Sequence, residues 1–236
     1  MSGTIDGMRS AAVFGAGSWG TALACLLAQR GLEVTFWGRD SDLMDRMASD
    51  RENTAYLPGI GVPDSVRIVG RMEEVPRVDV GVFVVPSKAV RATAGLVADS
   101  GCLADARAVI SCSKGIELES GWRMSQILEA QFPQATPAVL TGPNHAEEVG
   151  RHLATAAVVA CADEGTAVDL QRLFTLPWFR SYWTDDVIGA EWGGAMKNPY
   201  AIAAGIAQGL KLGDNALAAL VTRALAEMLR FGVAAG

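Results

Sequence analysis

The chain has 236 residues, half of them apolar and 19% charged, a balance that suits a globular protein with a sizeable core and excludes a disordered segment. Its net charge of −6 argues against nucleic acid or an anionic membrane surface as partner, yet leaves room for a small phosphorylated ligand held by a few local cations. No run approaches the ~20 apolar residues of a membrane span, and the apolar stretch 11–14 is too short for a signal peptide.

In chain order, short β-rich runs alternate with longer helical ones. Residues 8–14 predict a strand, 21–30 a helix stopped by Gly31, 32–37 a second strand, and 41–49 a helix with Ser41 as its cap. The Gly/Pro-rich stretch 53–63 predicts a loop. Strands are expected at 66–69 and at the nearly all-apolar 78–85, which Pro86 ends, with Ser87 capping a helix to about residue 99. Further strands are expected at 106–112, 138–141, 155–161 and 180–183, with a helix at 121–131 and another between the last two strands. After Asp186 the β signal stops. Residues 191–210 are rich in Ala, Gly and Ile, and 215–233 predict a clean helix capped by Asp214.

This alternation predicts an α/β fold with a Rossmann-type, doubly wound, mainly parallel sheet over residues 1–189. The beginning of an all-helical unit follows at 190–236. Ligands of such sheets bind at the carboxyl ends of the strands, so motifs that follow strands carry the chemistry. Four scattered cysteines (Cys25, Cys102, Cys112, Cys161) without a CxxC pair predict buried, reduced thiols and a cytoplasmic location. His145 and His152 match no zinc spacing, so no metal is expected.

Gly15-Ala-Gly17-Ser18-Trp19-Gly20 is a GxGxxG turn between a strand and a helix. Its glycines allow the tight turn, the close approach of a pyrophosphate and the packing of helix on strand. The free N–H groups of the helix start would face the phosphates. The second strand ends in Trp37-Gly38-Arg39-Asp40. Arg39, where an acid would select NAD, favours the 2′-phosphate of NADP, with NAD possible through Asp40. Lys114 follows a strand and could donate to a phosphate or carbonyl oxygen; an exposed structural lysine fits that position equally. The turn Thr141-Gly142-Pro143-Asn144-His145-Ala146 suits close backbone approach to a ligand, with His145 read as a loop residue rather than an acid–base group. Lys197 lies in a small-residue helical stretch that looks buried. Either it is desolvated and tuned for proton transfer, or it snorkels to the surface.

Together these segments resemble bacterial NAD(P)-dependent glycerol-3-phosphate dehydrogenases. The matching stretches include 13–23, Trp37-Gly38-Arg39, Asn53 to Pro58, Val84 to Ser87, Ser113-Lys114-Gly115, Thr141-Gly142-Pro143, Glu191 to Asn198, and 213–216 with 222–228. The resemblance implies interconversion of dihydroxyacetone phosphate and sn-glycerol 3-phosphate, mainly toward glycerol phosphate for glycerophospholipid synthesis. It implies cofactor contacts from Gly15, Gly17, Ser18, Trp19, Gly20, Arg39, Lys114 and Ala146, and substrate contacts from Lys114, Gly142, Asn144 and Lys197. Lys197 would exchange the proton, and Lys114 would stand close to both ligands. NADP would be preferred over NAD.

Three departures stand out. Pro199 follows the Lys197-Asn198 pair where the family more often has an aliphatic residue, so the helix either kinks there or restarts with Asn198 as its cap. Asn144-His145 stands where many members have Thr or Ser followed by Phe. The family also continues for roughly a hundred further helical residues, with substrate-phosphate contacts in a Ser-Arg-Asn segment. This chain would then be a shortened one, its last helices exposing apolar faces that admit a homodimer. Two alternatives follow: a cofactor-binding module without turnover, and a related dehydrogenase of another small hydroxy substrate.

Overall fold

The computed structural model describes residues 7–235; residues 1–6 and 236, which the two expected units include, lie outside the described residues. Eight strands form one sheet: β1 (Ser10–Phe14), β2 (Glu33–Trp37), β3 (Val66–Val69), β4 (Val80–Phe83), β5 (Ala108–Ser111), β6 (Thr136–Thr141), β7 (Thr155–Ala160) and β8 (Phe179–Thr184). Their order is β3-β2-β1-β4-β5-β6-β7-β8. The pairings from β3 to β6 are all parallel, β6 and β7 are antiparallel, and β7 and β8 are parallel again. The first six strands have the dinucleotide-binding order, with the switch point between β1 and β4.

Parallel neighbours require crossovers. These are α1 (Ser18–Gln29), α2 (Ser41–Asp50), α3 (Val90–Ser100) and α4 (Met124–Gln131). Between β6 and β7 the chain makes only the short α5 (Ala146–Gly150), so β7 runs back against β6; α6 (Glu164–Phe174) then joins β7 to β8. Side chains alternate across the sheet into two cores. Val13 and Phe36 pack with Leu23, Leu26 and Leu27 of α1. Ala12, Phe14 and Phe83 pack with Val90 and Val97 of α3 and Ile127 of α4.

Several ends differ from expectation for local reasons. α1 starts at Ser18, because the helix opens straight from the glycine turn before its apolar periodicity begins. Asp40, not Ser41, caps α2: its carboxylate accepts the Leu43 N–H at 3.1 Å. Ser87 opens a single 3₁₀ turn, Ser87–Ala89, ahead of α3 rather than capping it. α7 (Val187–Gly209) runs unbroken through Pro199, so the proline sits inside the helix and Asn198 starts no new one. α8 (Asp214–Ala235) packs along α7.

Candidate functional site

The parallel register sets Phe14 opposite both Trp37 and Phe83, and Phe83 opposite Ser111. The strand ends therefore align, and the segments that follow them share one edge. Gly15 N donates to the Trp37 carbonyl, Val84 N to that of Phe14, and Cys112 N to that of Phe83, at 2.8–2.9 Å.

The three motif glycines differ in what requires them. Gly15 has φ +122°, and a Cβ there would lie 2.4 Å from the Val84 oxygen. A Cβ on Gly20 would lie 1.9 Å from the Gly15 oxygen, so only glycine lets the helix seat on the turn. Gly17 has an ordinary φ of −82°, and a Cβ there would meet no atom within 4 Å. Among the described residues no other side chain reaches that space, and the start of α1 has no side-chain cap and no acidic residue in its first turn. An open cradle beside uncapped N–H groups fits a dinucleotide pyrophosphate.

Sequence reasoning gave Asn53 no role, though it falls in a matching segment. Its buried amide donates to the Ala16 carbonyl at 3.0 Å and to Thr21 Oγ1 at 2.8 Å. Thr21 Oγ1 in turn donates to the Gly17 carbonyl at 2.9 Å. Asn53 thus ties a distant loop to the phosphate-binding turn. Its burial, and hence its need for partners, is visible only in the folded chain, so no local sequence signal marks it.

Beyond the turn lies a cleft of about 290 Å³ lined by Trp19, Val84 to Ser87, Cys112 to Lys114, Leu140 and Asn144. It brings together three of the expected residues: Trp19, Lys114 and Asn144. Lys114 is half-buried, and its Nζ donates to the Gly142 carbonyl at 2.9 Å. Burial, aided by the charge of Lys197, lowers its pKa from the ordinary lysine value. Gly142 (φ +156°) is hemmed in by Asn144 Oδ1 and the Ala156 oxygen, and Asn144 Nδ2 donates to that same oxygen at 2.9 Å. Burial raises the Cys112 thiol well above its usual range, so it lines the cleft as a neutral group.

Other expected residues stand apart from this cleft. Arg39 is exposed at the end of β2, and Ser18 opens α1. Ala146 is buried in the core at the start of α5, and His145 is exposed. Of the two alternatives for Lys197, burial in a buried helical stretch does not hold. Lys197 is exposed, as are Asn198 and Pro199, because α7 buries only Glu191 and Ala207 and turns this side outward. Small residues on α7 reflect one close approach rather than burial all round: a Cβ on Gly194 would lie 3.2 Å from Thr141 Oγ1 and 3.7 Å from Lys114 Cγ. That approach brings Lys197 within electrostatic reach of Lys114.

Comparison with known proteins agrees with this geometry. Residues 10–167 match the NAD-dependent glycerol-3-phosphate dehydrogenase N-terminus model, and residues 186–236 match the model of its C-terminus. Glycerol-3-phosphate dehydrogenase [NAD(P)+] of Streptomyces coelicolor is 47% identical over 229 residues, which are 96% of this chain and 68% of that protein. The protein of that name from Moorella thermoacetica is also 47% identical, over 97% of this chain and 68% of its own length. The crystal structure of glycerol-3-phosphate dehydrogenase from Coxiella burnetii superposes with a TM-score of 0.90 at 36% identity, covering 97% of this chain and 70% of that one. A ketopantoate reductase from Ralstonia eutropha, at 19% identity and a TM-score of 0.60, shares the fold alone. By motif, by geometry and by these relatives, the chain belongs to the NAD-dependent glycerol-3-phosphate dehydrogenase family.

Proposed function

We propose that this chain is an NAD(P)H-dependent oxidoreductase interconverting dihydroxyacetone phosphate and sn-glycerol 3-phosphate, with the reduction feeding glycerophospholipid synthesis. The observation that carries the reading is the cleft beside the glycine-rich turn, where Trp19, Lys114 and Asn144 converge and where α7 passes closely by Lys114 at Gly194. A phosphorylated carbonyl compound requires cations and neutral donors, and that lining offers a lysine, an amide and hydroxyls with no carboxylate.

Bound nicotinamide supplies or takes the hydride. The protein's part is to hold and to move a proton. Gly15, Gly17 and Gly20 shape the turn, and the backbone at Ser18 and Trp19 holds the pyrophosphate. Arg39 takes the 2′-phosphate, which favours NADP while leaving NAD usable. Lys114, Gly142 and Asn144 hold the substrate, and Ala146, at the start of α5, contacts the cofactor. In reduction, Lys197 delivers a proton to the former carbonyl oxygen while Lys114 offsets its developing negative charge. In oxidation, Lys197 accepts that proton.

In this reading residues 1–189 form the cofactor unit and 190–236 begin the substrate unit. Four buried, unpaired cysteines suit the reducing cytoplasm. The exposed apolar residues of α7 and α8, among them Ile202, Ile206, Leu225 and Leu229, suit a homodimer.

The test is NADPH oxidation dependent on dihydroxyacetone phosphate. Turnover is expected in the parent chain. Lys197→Ala should lower it ~10²- to 10⁴-fold while NADPH affinity measured by fluorescence stays within about twofold, since Lys197 lies away from the glycine turn. Equal losses in both would make Lys197 structural.

A further inference from the structure

Glu191 is a buried carboxylate, 7% exposed, in the early turns of α7, and nothing in the chemistry above uses it. Its oxygens accept three hydrogen bonds: from Ser125 N at 2.9 Å, from Ser125 Oγ at 2.5 Å and from Arg123 Nη1 at 2.7 Å. These partners form the first turn of α4, whose own N-cap residue is Arg123, a side chain with no accepting atom. Glu191 therefore caps α4 from another element, at the helix end that favours negative charge.

Gly194 stands three residues from each of Glu191 and Lys197 and so neighbours both on the surface of α7, while Glu191 and Lys197 themselves point about 120° apart around the axis, one buried and one exposed. At the middle position the absent side chain lets α7 approach Thr141 and Lys114. At the third, the Lys197 charge acts on Lys114. We propose that Glu191 is the positioning residue of the reacting pair: by capping α4 it sets the rotation and axial register of α7, and with them the placement of Lys197 against Lys114. The inference rests on the dehydrogenase reading above. An apolar helix contact tolerates small slides, whereas a buried carboxylate held by three directional bonds admits one setting. From Glu191 to Lys197 the helix rises ~9 Å, short enough that a slip at one end carries the other with it. Rates respond steeply to such displacements.

The test uses the full chain with Glu191→Gln, which keeps shape but loses the charge paired with Arg123, and with Ser125→Ala, a milder cut that removes one bond. Glu191→Gln should lower kcat at least tenfold and Ser125→Ala less, with the KM for NADPH changed by less than twofold. A second readout does not need turnover. The chain has only four lysines, Lys88, Lys114, Lys197 and Lys211, so ¹³C-methylated lysines can be followed by NMR through a pH titration. In Glu191→Gln the Lys114 midpoint should rise as Lys197 withdraws, while those of Lys88 and Lys211 stay fixed. A lower melting temperature with kcat and the Lys114 midpoint unchanged would overturn the proposal and leave Glu191 as a fold residue. If the parent fails to turn over dihydroxyacetone phosphate, the dehydrogenase reading falls, and the Lys114 titration still decides the placement.

Discussion

Gly17 and Gly20 occupy one motif, yet the structure predicts opposite outcomes when each gains a methyl group. Gly17→Ala meets open space at an ordinary φ. Its melting temperature should hold or rise slightly, since alanine also restricts the unfolded chain, while NADPH affinity falls because the methyl fills the pyrophosphate cradle. Gly20→Ala forces a Cβ to within 1.9 Å of the Gly15 oxygen, an overpacking that costs ~1–3 kcal/mol or more of stability. Denaturant unfolding together with NADPH titration separates the two, and a stable Gly17→Ala variant with parental affinity would refute the cradle. At the next strand end, Arg39 is exposed and has no acidic partner among the ion pairs described. Arg39→Asp should weaken NADPH by ~10- to 100-fold, as expected for losing a charge-assisted phosphate bond, and NADH by much less. Equal losses for both cofactors would show that Arg39 does not read the 2′-phosphate.

At the scale of elements, the strands were the most legible part of the chain. Buried parallel strands are continuous apolar runs, and β4 and β5 announce themselves that way. Helix ends were less legible, since Asp40 and Ser41 are both capable caps and only backbone geometry chooses between them. The glycine turn could be read because its chemistry is local. Lys197 could not, because small residues on a helix look the same whether they pack on every side or at one contact. Asn53 and Glu191 act through partners distant in sequence, Ala16 and Ser125, which no local pattern encodes. One element carries its own pH dependence. The loop after Lys114 closes through the Ile116–Arg123 bridge and through Glu117, whose carboxylate accepts from both Arg91 Nε and Nη2 at 2.6–2.7 Å. The Arg91 hydrogen bonds, with help from Ser120, pull the Glu117 pKa down to about 2. A carboxylate with a depressed folded-state pKa contributes stability above its unfolded value of ~4.3 and loses it as pH falls through the folded value. The amides of Glu117 and Gly121, both bonded within this loop, should therefore lose exchange protection between about pH 4 and about pH 2. Arg91→Gln should move that loss to higher pH, and protection that ignores both changes would exclude the pair as the latch.

For the molecule as a whole, the sheet is covered on both faces, but α7 and α8 turn apolar side chains outward. Ile202 and Ile206 lie four residues apart on α7, with Leu210 just past its end, and Val221, Leu225 and Leu229 lie four apart on α8, all of them exposed. Stripes of this kind on helices mark contact surfaces. Sedimentation velocity should show self-association of the 236-residue chain that weakens in an Ile206→Glu, Leu225→Glu double variant with the cofactor affinity kept. A parent that remains monomeric at micromolar concentration would count against the homodimer.

The meeting of Lys114 and Lys197 has a further consequence. The Lys197 charge acts on Lys114 across the approach of α7, and the lining of the cleft beside Lys114 holds no carboxylate. A small anion bound there would offset the positive charge of the two lysines. Inorganic phosphate or sulfate should raise the melting temperature in proportion to occupancy and compete with the phosphorylated substrate. On that expectation the candidate site is a weak, unselective anion site as well as a catalytic one, and the salt in the buffer becomes one of its ligands.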